Sequence, residues 1–273
     1  MTKQLADFSL QGKRAIVTGG AGILGGRFCE GLAAHGADVA VVDLDAERVV
    51  QLSAELEQRY GVRSVGITCD VTSPQAVAQM VDTVVKIWGG IDVLHNNAAS
   101  KSDNLAAFFA PFEEYSLEEW RKIMSVNIDG MFLVAQAVGK QMVVQQTGGS
   151  IIQTASIYGI MAPDKRIYEG SSYLGMEINT PAVYAASKAA VVGLTKYLAT
   201  YWAEHNIRVN TLTPGGVESG QNDEFKRRYS TRVPLGRMAH RDEMVGALVY
   251  LASEASSYMT GQNLIVDGGL SAW

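Results

Sequence analysis

Two cysteines, Cys29 and Cys69, are all that a chain of 273 residues carries. Neither lies in a metal-ligand spacing. Two thiols in core-like surroundings make no disulfide framework, so both are expected to be small buried groups. The four histidines, His35, His95, His205 and His240, are scattered, and no metal site is expected from them. Uninterrupted apolar runs fall far short of the 18 residues that a helical membrane span requires. Met1-Thr2-Lys3-Gln4 opens a polar stretch rather than a secretory leader. No linker, repeat or low-complexity block divides the chain. A net charge of −5 argues against nucleic acid or an anionic membrane as the main partner. The expectation is a cytoplasmic protein.

What the chain does have is enough apolar material for a large core: 47% hydrophobic residues, with 28 glycines spread throughout. Short apolar runs alternate with longer amphipathic ones. Strands are predicted at Arg14–Thr18, Asp38–Asp43, Arg63–Asp70, Asp92–Asn96, Ser150–Ala155, Arg208–Thr213 and Asn263–Asp267. They are rich in Val, Ile and Ala without strict alternation, as expected of strands buried on both faces. Helices are predicted at Leu24–His35, Ala46–Tyr60, Pro74–Trp88, Leu117–Gln145, Ala182–His205 and Arg241–Ser253, with Thr72-Ser73-Pro74 a good helix start. The fold class that follows is α/β: one Rossmann-type domain over residues 1–273, a doubly wound seven-stranded parallel sheet with helices on both faces. Ligands then belong beyond the carboxyl ends of the strands.

Two motifs fall at such ends. Thr18-Gly19-Gly20-Ala21-Gly22-Ile23-Leu24-Gly25 follows the first strand and opens the first helix. Gly19, Gly22 and Gly25 let the backbone turn tightly and approach a pyrophosphate, whose charge the helix N-terminus favours. Asp43 ends the second strand, where a carboxylate accepts hydrogen bonds from adenosine ribose hydroxyls and repels a 2′-phosphate. No Arg or Lys lies in the glycine loop or directly after Asp43, so NAD is expected over NADP. Farther on, Tyr184-Ala-Ala-Ser-Lys188 puts a phenol and an ammonium one helical turn apart. Free tyrosine has a pKa of about 10, and a nearby cation favours phenolate. Tyr184 is therefore expected to act as general acid/base in a nicotinamide-dependent alcohol–ketone interconversion, with Lys188 tuning it.

The whole chain, from about residue 8 to 270, resembles the short-chain dehydrogenase/reductase family. Asp70-Val71 looks like the pair that flanks the adenine ring. Asn96-Asn97-Ala98-Ala99 is similar to the family's Asn-Asn-Ala-Gly, with Ala99 in place of glycine. Pro214-Gly215-Gly216-Val217-Glu218-Ser219 resembles the loop that holds the carboxamide, with Ser219 where threonine is usual. The resemblance implies a catalytic set of Asn127, Ser156, Tyr184 and Lys188. It implies cofactor contacts from Gly19, Gly22, Ile23, Leu24, Gly25, Asp43, Asp70, Val71, Asn97, Gly215, Val217 and Ser219, together with Tyr184 and Lys188. Lys188 would also bind the nicotinamide ribose, and Asn127 would anchor a water on a proton path. Family members are commonly dimers or tetramers, and Trp273 is expected to pack on a neighbouring subunit.

Two departures stand out. The glycine loop spells Thr-Gly-x-x-Gly-x-x-Gly, more typical of the longer sugar-nucleotide branch, but only four residues follow Gly269, so the branch of roughly 250 residues is expected. Ser156 and Tyr184 are 28 positions apart, where the family usually has about 13. The extra residues, an insertion at about 160–180, must lie near the active-site mouth. Its polar stretch Ile160–Gly170 suits hydroxyl groups better than an acyl chain. A second element, at about 216–234, carries Lys226-Arg227-Arg228, which can recognise a carboxylate, phosphate or sulfonate. The insertion looks like that of sugar and gluconate dehydrogenases, so a sugar, polyol or sugar acid is the expected substrate. The rivals are a 3-oxoacyl-thioester reductase, which would prefer NADPH, a reductase of nucleotide-linked surface sugars, a sugar-nucleotide epimerase or dehydratase, and a non-catalytic NAD sensor.

Overall fold

A computed structural model describes residues 7–102, 104–173 and 175–273. Its centre is one parallel sheet of seven strands: β1 (Arg14–Thr18), β2 (Asp38–Asp43), β3 (Ser64–Thr68), β4 (Val93–Asn96), β5 (Gly149–Thr154), β8 (Ile207–Pro214) and β9 (Asn263–Val266). Their order is β3-β2-β1-β4-β5-β8-β9, with every pairing parallel. The order reverses between β1 and β4. The chain leaves these two neighbouring strands toward opposite sides of the sheet, which opens a crevice at their carboxyl ends.

One face is covered by α1 (Ile23–Ala34), α2 (Ala46–Tyr60) and α9 (Val245–Ala252), which bury Phe28, Leu32, Leu52, Leu56 and Leu248. The other is covered by α3 (Pro74–Trp88), α6 (Met131–Gln145) and α7 (Ala182–Tyr201), which bury Met80, Val84, Trp88, Val138, Met142 and Leu198. Each fully buried large apolar side chain contributes about 1.5–3 kcal/mol, so these two layers hold the sheet rigid beneath the site. Asp45 and Ser73 cap α2 and α3, accepting from Arg48 N at 2.9 Å and Ala76 N at 3.2 Å, and Pro74 occupies the first turn as its sequence context requires.

Four sequence expectations are corrected. The helix predicted at Leu117–Gln145 is three pieces: α5 (Leu117–Met124), a π-helical turn (Ser125–Gly130) and α6. The strand predicted at Arg63–Asp70 pairs only over Ser64–Thr68. The helix predicted at Arg241–Ser253 begins with a 3-10 turn at Arg241–Met244 before α9, and the one predicted at Ala182–His205 ends at Tyr201 before a 3-10 turn at Ala203–His205. Elements without a sequence signal are α4 (Leu105–Phe108), α8 (Asp223–Ser230) and a small antiparallel pair, β6 (Ser172–Tyr173) with β7 (Met176–Glu177). Among the described residues no helix is long and apolar enough to cross a membrane, and no cluster of His, Cys, Asp or Glu is placed to hold a metal ion. The residues Met1-Thr2-Lys3-Gln4 lie outside the described part.

Candidate active site

The crevice between β1 and β4 is tied together by one buried hydroxyl. Thr18 Oγ1 accepts from Asn97 N at 2.9 Å and Ala98 N at 3.1 Å, and lies 3.3 Å from Asn96 Oδ1. Asn97 Nδ2 donates to the Thr18 carbonyl at 3.2 Å. Asn97 thus spans the two strand ends. Ala99 is not among the described non-glycine residues of positive φ, which are Gln146 and Asn206, so replacing glycine there brings no backbone strain.

The glycine loop is built for close approach. Gly19 has φ of +64°, and a Cβ on Gly25 would sit 1.9 Å from the Gly19 carbonyl oxygen. The first turn of α1 has no side-chain cap and no acidic residue. Its free N–H groups and dipole await an anion, which is the fit a pyrophosphate needs. Ile23 is 55% exposed at this rim, whereas Leu24 leans against the core. Asp43 sits at the adjoining strand end. Its carboxylate accepts from Ala21 N at 3.0 Å and from Leu44 N at 2.8 Å, bracing the loop while keeping acceptor capacity. Asp70 Oδ1 accepts from Thr72 N and Oγ1, and Val71 packs beside Gly130 of the π-helical turn. On the opposite wall, Gly215 follows β8 and lies against Asp267, Val217 bridges to Ala239, and exposed Ser219 accepts from Gln221 Nε2 at 2.9 Å. The glycine loop and the uncapped start of α1 fit the pyrophosphate of a dinucleotide.

Asn127, Ser156, Tyr184 and Lys188 come together at the ends of β4 and β5 and the start of α7. The π-helical turn carries Asn127 inward to 0% exposure. Its Oδ1 accepts from Ser100 N at 2.9 Å, and its Nδ2 donates to Ser187 Oγ at 3.2 Å. Ser187 Oγ donates to the Tyr184 carbonyl at 2.8 Å, so Asn127 braces the helical turn that presents the phenol. The extra residues between Ser156 and Tyr184 loop outward as two 3-10 turns, Ile157–Gly159 and Lys165–Tyr168, and the β6–β7 pair. The excursion returns Tyr184 to hydrogen-bonding distance of Ser156 despite the long spacing.

The electrostatics differ from expectation. Burial pushes the Tyr184 phenol above its ordinary value, and the Ser156 hydrogen bond only partly opposes this. Lys188 does not lower it in the protein alone. Its ammonium lies 5.9 Å from the Tyr184 ring centre and donates to the Thr154 carbonyl at 3.0 Å. Burial pushes Lys188 itself down to about 8. Thr18, Thr154 and Ser187 are the supporting residues that sequence reasoning missed, because nothing in their local sequence marks a threonine or serine as a long-range tie.

A cavity of about 270 Å³ opens above Ser156 and Tyr184. Its walls are largely aromatic, with Phe108, Phe109, Tyr168, Tyr173, Phe225 and Tyr229 prominent. Polar groups come from Lys101, Ser172, Asn179, Thr180 and Gln221. The charged residues of the insertion do not face it, contrary to expectation. Arg166 pairs with Asp164 at 2.7 Å, and Arg232 with the same carboxylate at 3.3 Å. Lys226-Arg227-Arg228 is likewise consumed by neighbours: Lys226 lies 4.0 Å from Glu218, Arg227 2.7 Å from Glu224, and Arg228 reaches both Glu224 and Glu169. Glu224 stands three and four positions before the two arginines on α8 and captures both.

A family model described as Enoyl-(Acyl carrier protein) reductase matches residues 21–271. The chain belongs to the short-chain dehydrogenase/reductase family. It is 36% identical over 272 residues to a D-threitol dehydrogenase of Mycolicibacterium smegmatis, covering 96% of this chain and 94% of that protein. Among solved structures, it resembles a gluconate 5-dehydrogenase from Burkholderia cenocepacia in complex with NADP and tartrate, with TM-score 0.86 and 32% identity, covering 99% of this chain and all of that one. It also resembles an NAD+-bound xylitol dehydrogenase, with TM-score 0.83 and 31% identity, covering 98% and 100% of the two chains. The enzyme is thus an oxidoreductase of CH–OH groups that works with a nicotinamide dinucleotide.

Proposed function

We propose that this enzyme interconverts a secondary alcohol and a ketone on a sugar, polyol or sugar acid, using NAD in preference to NADP. The observation that carries the reading is the convergence of Ser156 and Tyr184 beneath a cavity whose walls mix aromatic faces with hydrogen-bonding groups. Relatives acting on threitol, gluconate and xylitol support the substrate class. Aromatic faces pack on the C–H face of such a chain, while Asn179, Thr180 and Gln221 offer partners to its hydroxyls, which are costly to bury unpaired.

The dinucleotide, when bound, accepts or supplies the hydride. Tyr184 would take the carbinol proton in oxidation and return it in reduction. Ser156 would donate to the substrate oxygen as negative charge develops there. Lys188 would hold the nicotinamide ribose hydroxyls, and Asn127 would keep the start of α7 in place and anchor a water on the route to solvent. Cofactor contacts fall to Gly19, Gly22, Ile23, Leu24 and Gly25 at the pyrophosphate, to Asp43, Asp70, Val71 and Asn97 toward the adenosine side, and to Gly215, Val217 and Ser219 at the carboxamide. The preference for NAD rests on Asp43, whose charge at the end of β2 would repel a 2′-phosphate. The next basic side chain, Arg48, is engaged by Glu55 at 3.2 Å.

Exposed Phe132, Val144, Tyr197 and Tyr201 on α6 and α7 support assembly into a dimer or tetramer, which gel filtration reads directly. Trp273 is 78% exposed, with its indole N–H donating to the Arg232 carbonyl at 3.3 Å, and this exposure supports its packing on a neighbouring subunit. Two buried free thiols accord with a cytoplasmic setting. The deciding experiment for activity is a screen of polyols, aldoses and sugar acids with NAD and NADP, followed at the reduced-cofactor absorbance band. Turnover of an acyl thioester with none of these would reject the reading.

A further inference from the structure

The cavity above Ser156 and Tyr184 contains one charged side chain. Lys101 is the only Lys, Arg, Asp or Glu in its lining among the described residues. Among the described residues the Lys101 ammonium makes no ion pair; it rests over the face of Tyr173, 5.5 Å from the ring centre. Nearby cations behave otherwise, since Arg166, Arg228 and Arg232 are all paired with carboxylates around the same mouth. Lys101 is itself exposed at the rim of this cavity, so in the free protein water screens its charge; a substrate seated in the cavity covers part of that solvent and strengthens the attraction of the ammonium for an anionic group.

Its position is built rather than incidental. Asn127 Oδ1 accepts from the backbone of Ser100, which fixes the residue before Lys101 to the same side chain that braces α7. Tyr173 belongs to the β6–β7 pair, so the extra residues between Ser156 and Tyr184 supply the ring on which the ammonium sits. The lysine thus stands at the rim of the cavity, beside the ring that the inserted residues supply.

We propose that Lys101 selects a sugar acid over a neutral polyol by binding the terminal carboxylate of the substrate, while Ser156 and Tyr184 engage the reacting oxygen. The inference rests on the polyhydroxylated-substrate reading and narrows it. A carboxylate is favoured over a phosphate ester because the cavity offers one unit of positive charge and no guanidinium fork. A phosphate would bring nearly two negative charges to that single ammonium.

The test compares the whole enzyme, with NAD, on an aldonate, the polyol of matching configuration and the phosphate ester of that polyol. The expected result is a higher kcat/KM for the aldonate. Lys101→Met should lower the aldonate-to-polyol ratio of kcat/KM by about tenfold, mainly through the KM of the aldonate, and Lys101→Arg should restore most of it. The aldonate KM should also rise with salt, as the screening length falls from about 30 Å at 0.01 M to about 3 Å at 1 M. An unchanged ratio in Lys101→Met, or a wild-type preference for the polyol or its phosphate, overturns the assignment while leaving the wider reading intact. Turnover of none of the three would reject the polyhydroxylated reading, and this inference with it.

Discussion

Lys188 Nζ donates to the carbonyl oxygen of Thr154 at 3.0 Å, so the helix α7 is latched to the end of β5 by a buried cation. Burial brings that ammonium down to about 8, against about 10.4 for an unfolded chain. Because the folded value is the lower one, the unfolded chain holds more protons between those limits. Stability from this group therefore rises with pH through the window, and the full cost of burying the charge is present at pH 7. Lys188→Met should raise stability at pH 7 by about 3 kcal/mol, less the hydrogen bond lost at Thr154. It should also cost most of the activity. Denaturant midpoints and kcat measured side by side check this, and a variant less stable than wild type at pH 7 would contradict it.

Tyr184→Phe removes only the phenolic oxygen from a half-buried ring. General acid/base catalysis typically contributes 10² to 10⁴ in rate, so kcat should fall by about that range. Dinucleotide binding, read by quenching of intrinsic fluorescence, should persist, since the glycine loop is untouched. A kcat within about tenfold of wild type would remove Tyr184 from the proton-transfer role.

The seven main strands were legible because a strand buried on both faces must read as a short apolar run, and Val39–Val42 of β2 is one, fully buried throughout. The glycine loop and the Tyr184–Lys188 pair were legible because their chemistry lies within one turn or one loop. The inward turn of Asn127 was not. A π-helical turn displaces the side-chain register by backbone hydrogen bonding alone, and nothing in Val126-Asn127-Ile128 separates it from ordinary helix. Strands of two residues, as in β6 and β7, are too short to leave an alternation. The charges of Arg166, Arg227 and Arg228 were misassigned to the ligand although Asp164 and Glu224 stand two to four positions away, and only the pairs Arg228–Glu169 and Arg232–Asp164 join separate elements that local sequence does not connect. Lys101 was passed over for the converse reason: a single lysine after Ser100 has no pattern, and its meaning comes from Tyr173, far along the chain.

The Asp43 carboxylate accepts from three backbone N–H groups, those of Ala21, Leu44 and Asp45, and so braces the glycine loop and the start of the segment after β2. Asp43→Ser keeps a short hydrogen-bonding side chain but removes the charge. The NAD-to-NADP ratio of kcat/KM should fall by about tenfold or more, equivalent to about 1.4 kcal/mol. Some loss of NAD affinity should accompany it, since the loop is less well braced. Initial rates with both cofactors check the prediction, and an unchanged ratio would mean that selectivity lies elsewhere.

His95 lies at 0% exposure in β4, edge-on to Phe28, with Nε2 2.8 Å from Thr154 Oγ1 and Nδ1 without a partner among the described residues. Burial lowers its pKa from 6.5 to about 3, so the folded protein keeps the ring neutral. An unfolded chain takes up a proton on this residue below about 6.5. Between that value and about 3 the unfolded state binds more protons at this site, so its contribution to stability is complete above 6.5 and is lost as the pH falls. The loss is about 1.4 kcal/mol for each pH unit within the window. His95→Gln has no proton to gain and should flatten the fall in denaturant midpoint between pH 6.5 and 4, although it lowers stability at pH 8 by disturbing the core. Parallel pH profiles for the two proteins would show that the acid sensitivity comes from paired carboxylates such as Asp92, held low by its hydrogen bonds from Arg14, rather than from the buried ring.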